Sequence, residues 1–236
     1  MTGEAADSDR LAILLDCVFG LEQNAWPRHM PPGLNTLWQL FRRAAQEGQG
    51  YGLKPAAAFF AKILEESTAR GFPVRHCEVL ANANSVFRTH PFQKNIQCGT
   101  YRIWRDLGQS PEPWLNIRYF TPAREVRHKP WLYEAYPSLI WREHFQLRTR
   151  NLAELPGAMK RVLPEIRLSR EDAELIARHP DYADAAVLAM GGFLLDRAGL
   201  LKPKLSRNQR LAREGWIVGL KKQKVDPEGP TSETQA

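Results

Sequence analysis

Cysteine is scarce: the 236 residues hold three, Cys17, Cys77 and Cys98, an odd number at wide spacing with no C-x-x-C pair. Without paired Cys/His ligand spacing, neither a disulfide framework nor a zinc site is expected to organise the fold. Long hydrophobic runs are also missing, because Arg, Lys or Glu interrupts every stretch before the ~18 apolar residues that a membrane span requires. The first residues, Met1 to Asp9, are small and acidic and lack the basic and apolar regions of a secretion signal. The expected location is therefore cytoplasmic, with no membrane partner. No repeat of fixed period is present, which sets aside solenoids and propellers. Nor is there a G-x-S-x-G, H-E-x-x-H, Walker-type or G-x-G-x-x-G element, and the glycines of Gly48-Gln-Gly-Tyr-Gly52 do not follow a strand as a phosphate loop would.

What is present suits one sizeable core: 43% of the residues are hydrophobic, and strand-like and helix-like segments alternate. The reading predicts a single α/β domain over residues 11–220, between a short polar segment 1–10 and a tail 221–236 that are both expected to be disordered. The 33 Lys and Arg exceed the 26 Asp and Glu, for a net charge of +7. The excess is concentrated between Lys202 and Lys224, opposed there by Glu214 alone. Such a run either neutralises the phosphates of a nucleic acid or forms a solvated terminal face.

Leu11 to Leu15 is a compact apolar run whose length predicts a buried strand, ending at Asp16. A carboxylate at a strand's C-terminal end lies where ligands bind in open α/β sheets, although Asp also serves simply to cap a turn. Asn35 is expected to cap a helix running to Gly48. A second helix is expected from Lys54 to Arg70, with Ala57, Phe60, Ala61 and Leu64 on its buried face. His76 to Leu80 reads as a strand, and Val86 and Phe87 as part of a helix. The segment Gln93 to Arg105 mixes Lys94, Arg102 and Arg105 with Tyr101 and Trp104, a combination used to contact phosphates and stack bases. Buried aromatics among solvated charges fit the same pattern.

Trp131 to Tyr136 has the aromatic content of a strand, and Glu134 lies within it. A carboxylate in so apolar a setting must be paired, hydrogen-bonded or metal-bound, unless strand alternation turns it to solvent. Ser169-Arg-Glu-Asp172 has the spacing of a capping box. The next helix is expected to run from Ala183 through Leu195 with Asp181 as its cap, which leaves Asp184 in the first turn. Asp184 there is either a charge on the helix dipole or part of a site.

As an ordered set these elements resemble the domain of unknown function 429 family, regarded as predicted ribonuclease-H-like nucleases. Leu14-Leu-Asp16-Cys-Val-Phe-Gly20-Leu21 resembles its apolar strand, aspartate and glycine-leucine element. Tyr133-Glu134-Ala-Tyr-Pro137-Ser138 resembles its valine-glutamate-x-histidine-proline element, with Tyr136 in place of the histidine. Asp181-Tyr-Ala-Asp184-Ala185 resembles its closing D-x-x-D-A helix, and Gly215-Trp216 its late glycine-tryptophan pair. The resemblance implies a ribonuclease-H-like mixed sheet with flanking helices. The family's preceding hairpin, with its leading aspartate, has no counterpart here. It also implies that Asp16, Glu134 and Asp184 coordinate Mg²⁺ or Mn²⁺, two ions about 4 Å apart, to hydrolyse phosphodiester bonds in nucleic acid. Lys94, Arg102, Arg105, Arg124, Arg127 and Lys129 would then hold the nucleic-acid backbone. Loss of the leading aspartate implies an alternative, a catalytically inactive nucleic-acid-binding or scaffolding protein of the same fold.

Overall fold

The apolar run at the start of the chain folds as expected into a strand, β1, Ala12–Leu15, but one that is only partly buried, with Ala12 exposed, because β1 is an edge strand of the described sheet. The computed structural model describes residues 11–47, 50–88, 96–121, 129–147, 150–201 and 213–220. Strand β2 is Asn116–Ile117 and strand β3 is Trp131–Glu134, in the order β1-β3-β2. Both pairings are parallel, with Leu15 opposite Glu134 and Ile117 opposite Leu132. The described sheet is thus wholly parallel where a mixed sheet was expected, and all its C-terminal ends lie on one edge.

Side chains alternate across this sheet, so each face seeds its own core. Ile13, Leu15 and Leu132 face one core, built with helices α1 (Leu34–Glu47), α2 (Leu53–Glu65) and α4 (Ile96–Leu107). Its centre is aromatic: Trp104 lies 5.2 Å from Phe41, 5.4 Å from Phe60 and 6.3 Å from Phe59. Leu14, Trp131 and Tyr133 face the opposite core, built with α5 (Pro137–Glu143), α6 (Leu155–Val162), α7 (Arg170–Arg178) and α8 (Pro180–Arg197). The result is a thin parallel sheet between two helical layers. No helix among the described residues is long and apolar enough to cross a membrane.

Several local expectations are corrected. Helix α1 begins before Asn35: the amide of Leu37 donates to the Gly33 carbonyl at 2.9 Å, placing Asn35 inside the first turn. The buried face of α2 is Ala56, Phe59, Phe60 and Ile63, rotated by a residue from the one expected, because Phe59 packs on Tyr101 and Trp104. His76–Ala81 is a helix, α3, and not a strand. Its first turn is held by carboxylates: Glu78 accepts from the Arg75 amide at 2.8 Å, and Glu214 from the His76 amide at 3.1 Å. Asn82, at φ 53°, ends it in the left-handed region. Val86 and Phe87 are buried in a turn, not a helix. Helix α8 starts at Pro180 with His179 as its cap, so Asp181 lies in the first turn. The capping box of α7 forms as read, Ser169 Oγ accepting from the Asp172 amide at 3.0 Å.

Two close approaches fix the layers around the sheet end. Gly191 and Gly192 of α8 lie against Ile140 and Leu14, where a Cβ on either would meet those side chains at 2.4 and 3.3 Å. At Gly20 a Cβ would fall 1.9 Å from the Glu214 carbonyl oxygen, so segment 213–220 packs backbone to backbone on the turn after β1. A small cluster of Cys77, Ala81, Leu139, Trp216 and Ile217 completes the packing of this segment.

Candidate functional site at the C-terminal sheet edge

A cavity of about 860 Å³ opens beyond the ends of β1 and β3, the position at which parallel α/β sheets bind ligands. Asp16, Glu134 and Asp184 all line it. The parallel register explains the first two: Asp16 follows Leu15, and Leu15 pairs with Glu134. Packing of Gly192 on Leu14 brings in the third, because it lays α8 along β1 with Asp184 near the rim. Asp181 joins the lining from the same helix.

The three carboxylates differ in their surroundings. Glu134 is buried and held on both oxygens: Arg75 pairs with it through two guanidinium nitrogens, and the Phe19 amide donates to Oε2 at 3.1 Å. Alternation therefore does not turn it to solvent. It is both paired and hydrogen-bonded, two of the states that a buried strand carboxylate requires. Arg75 is itself 2% exposed and also donates to Glu78 at 2.9 Å and to the Glu214 carbonyl at 3.0 Å. Burial raises the Glu78 carboxyl pKa against the opposing pull of Arg75.

Asp16 is exposed as a residue and lines the cavity, while protein atoms around its carboxyl still strip part of its hydration. Its carboxyl is raised from the ordinary 3.8 to about 6, first by loss of hydration, then by the charge of Asp184; Arg150 opposes the shift and Glu134 adds to it. Asp184 is ion-paired with Arg150, which also lines the cavity and stands 5.8 Å from the centre of the Trp141 ring. The charge of Asp184 thus acts on Asp16, while Glu134, lining the same cavity, is held in its arginine clamp. Among the described residues no three His, Cys, Asp or Glu side chains converge as a ligand set.

Thiol chemistry finds no support here. Burial, reinforced by Glu134, pushes the Cys17 thiol well up, and burial pushes that of Cys77 up to about 12, so neither is a thiolate near neutrality.

The basic candidates separate as clearly. Arg102, exposed on α4, lines the cavity. Arg105 is half-buried, donates to the Gly50 carbonyl and lies 4.1 Å over the Tyr51 ring. Lys129 donates to the Pro113 carbonyl. Lys94, Arg124 and Arg127 lie outside the described residues, as do the segments 1–10 and 221–236. Tyr101 and Trp104 are core residues, 2% and 0% exposed, so within α4 the aromatics pack inward.

Sequence reasoning did not select Arg75, Glu78 or Arg150. A signal for Arg75 existed: Glu134 needed a countercharge, and Arg75 stands in an apolar stretch, Phe72 to Val79. Arg150 carried none, since it lies in a loop far along the chain.

No family model, curated protein or solved structure matches this chain.

Proposed function

We propose that this chain is a Mg²⁺- or Mn²⁺-dependent nuclease of ribonuclease-H-like type, hydrolysing phosphodiester bonds in nucleic acid at the cavity beyond β1 and β3. The observation that carries the reading is that Asp16, Asp181 and Asp184 line one cavity beyond the strand ends, with the charge of Asp184 acting on Asp16. Two mutually repelling carboxylates, one just past a strand and one past the first turn of a helix, supply the hard oxygen donors that suit these ions. When bound, Mg²⁺ or Mn²⁺ supplies a Lewis acid for phosphoryl oxygens and an activated water. Asp16 and Asp184 would hold it. Glu134, committed to Arg75 and the Phe19 amide, fixes the end of β3 behind them.

Charge sets an order of binding. Five acids line the cavity, Asp16, Glu78, Glu134, Asp181 and Asp184, against three arginines, Arg75, Arg102 and Arg150. A polyanion entering alone meets net negative charge, so the cation must precede it. Arg102 is then the cationic side chain best placed to meet a phosphate.

The clamp on Glu134 favours a second reading, a nucleic-acid-binding protein of the same fold without turnover, since it leaves two open carboxylates at the cavity mouth where three were expected. Incubating the purified protein with single-stranded, duplex, hybrid and branched substrates separates the two. Cleavage that requires Mg²⁺ or Mn²⁺ and falls at least ~100-fold in Asp16→Asn and Asp184→Asn supports the nuclease. Absence of cleavage, with no cation-induced change in melting temperature, rejects it. Salt-dependent binding indifferent to both substitutions supports the second reading.

A further inference from the structure

We infer that Arg150 is a displaceable countercharge: it occupies Asp184 until a divalent cation takes its place, and the released guanidinium then binds the phosphate of the incoming substrate. This deepens the proposed function and rests on it.

Three features of Arg150 carry the inference. Its partner is Asp184, one of the two carboxylates open to the cavity, and its charge also acts on Asp16. It therefore balances the same pair that a cation would neutralise. Its side chain is 48% exposed, against 22% for Asp184, so the ion pair is held weakly and its arginine end lies toward solvent. Arg75 is the contrast, fully enclosed among Glu134, Glu78 and a backbone carbonyl, and too costly to release.

The third feature is the resting place. Arg150 lies over the face of Trp141, itself 1% exposed and fixed in the second core, with 5.8 Å between the guanidinium carbon and the ring centre. A cation–π contact of this kind holds the guanidinium near the cavity wall whether or not Asp184 is its partner. With Asp184 and Asp16 engaged by a cation, the guanidinium would keep its planar donors at the cavity lining, and phosphate oxygens match that geometry. The exchange brings the local charge to neutrality, since two carboxylates and one guanidinium leave a single negative charge that a divalent cation and one phosphodiester together offset. The cation replaces one guanidinium on the acids, and the phosphate replaces one carboxylate on the guanidinium.

Two affinities of the full-length protein test this: that for Mn²⁺ alone, from the change in melting temperature with concentration, and that for a short fluorescent oligothymidylate at saturating Mg²⁺. Removing a half-exposed competitor, Arg150→Gln is expected to bind Mn²⁺ roughly two- to five-fold more tightly than wild type. The same variant should bind the oligonucleotide about ten-fold more weakly, having lost a charge-assisted contact. Arg150→Lys, which keeps the charge, should stay near wild type for Mn²⁺ and recover part of the oligonucleotide affinity. A purely structural role would not move the two affinities in opposite directions. Unchanged or weaker Mn²⁺ binding in Arg150→Gln, beside a responsive wild type, overturns the inference. If neither protein responds to Mn²⁺, the cation site itself is rejected, and the inference falls with it.

Discussion

At the scale of single residues, Asp16 and Glu134 show how neighbouring carboxylates at one sheet edge acquire different roles. The Asp16 carboxyl, raised to about 6, binds its proton more tightly in the folded protein than in the unfolded chain. Folding stability therefore falls as pH rises between the ordinary value of 3.8 and about 6. Asp16→Asn removes that burden. In cation-free buffer it is expected to melt above wild type at pH 8, with the two proteins converging below pH 4; a difference constant with pH would refute the assignment. Cation affinity should fall as pH drops through about 6, because the protonated carboxyl is a poor ligand. Arg75 is the opposite case, since the countercharge of a buried Glu134 cannot leave without exposing an unpaired charge to the core. Arg75→Met is expected to cost about 3–5 kcal/mol in urea unfolding, and the double variant with Glu134→Leu less than the single one.

At the scale of elements, β1 and β3 were legible, while β2 was not and a strand expected at His76–Leu80 is a helix. The first run ends where the sequence says, at Asp16, the second stops at Glu134, two residues short of the expected Tyr136, and the capping box at Ser169 is a local device that acts locally. Helix α3 is different. His76-Cys-Glu-Val-Leu80 has strand-like composition, and what makes it helical is capping by Glu78 together with Glu214, which is 138 residues away from His76. The rotated face of α2 has a similar cause, since Phe59 finds its partners on α4. Two glycines make this scale testable. At Gly20 an added methyl would collide with the Glu214 backbone, so Gly20→Ala should cost about 3 kcal/mol or more in chemical denaturation. Gly99, exposed in α4 with nothing within 4 Å of an added Cβ, is the counterpart. Gly99→Ala should stabilise the protein by about 0.5–1 kcal/mol through helix propensity. Equal effects at the two positions would contradict the packing of segment 213–220.

At the scale of the molecule, the two cores are not independent, because β1 and β3 contribute alternate residues to each. Losing either core strips one face of a sheet whose β2 is only two residues long. Unfolding is therefore expected as one transition, with near- and far-ultraviolet circular dichroism superimposable; separate midpoints would show that the layers unfold apart. The charge of the whole chain and that of the cavity have opposite sense. A net +7 would draw nucleic acid toward the surface, while the cavity lining has five acids to three arginines. On the proposed function, a cation on the acids would reconcile long-range attraction with local repulsion.

The order of residues alone determined that Asp16 follows a strand and that Glu134 lies in another, since each follows from short-range pattern and period. Asp184, expected in a first turn, lies past it because the last long helix already starts at Pro180. That the three line one cavity was decided by the tertiary structure, through the parallel pairing of Leu15 with Glu134 and the close packing of Gly192 on Leu14. Tertiary structure also decided which carboxylate is free. Arg75 and Arg150 lie 59 and 34 residues from the acids they neutralise, and no local pattern announces such pairs. Countercharges are chosen by proximity after the chain has closed, so the same acidic side chain can be a clamp when enclosed or a ligand when open.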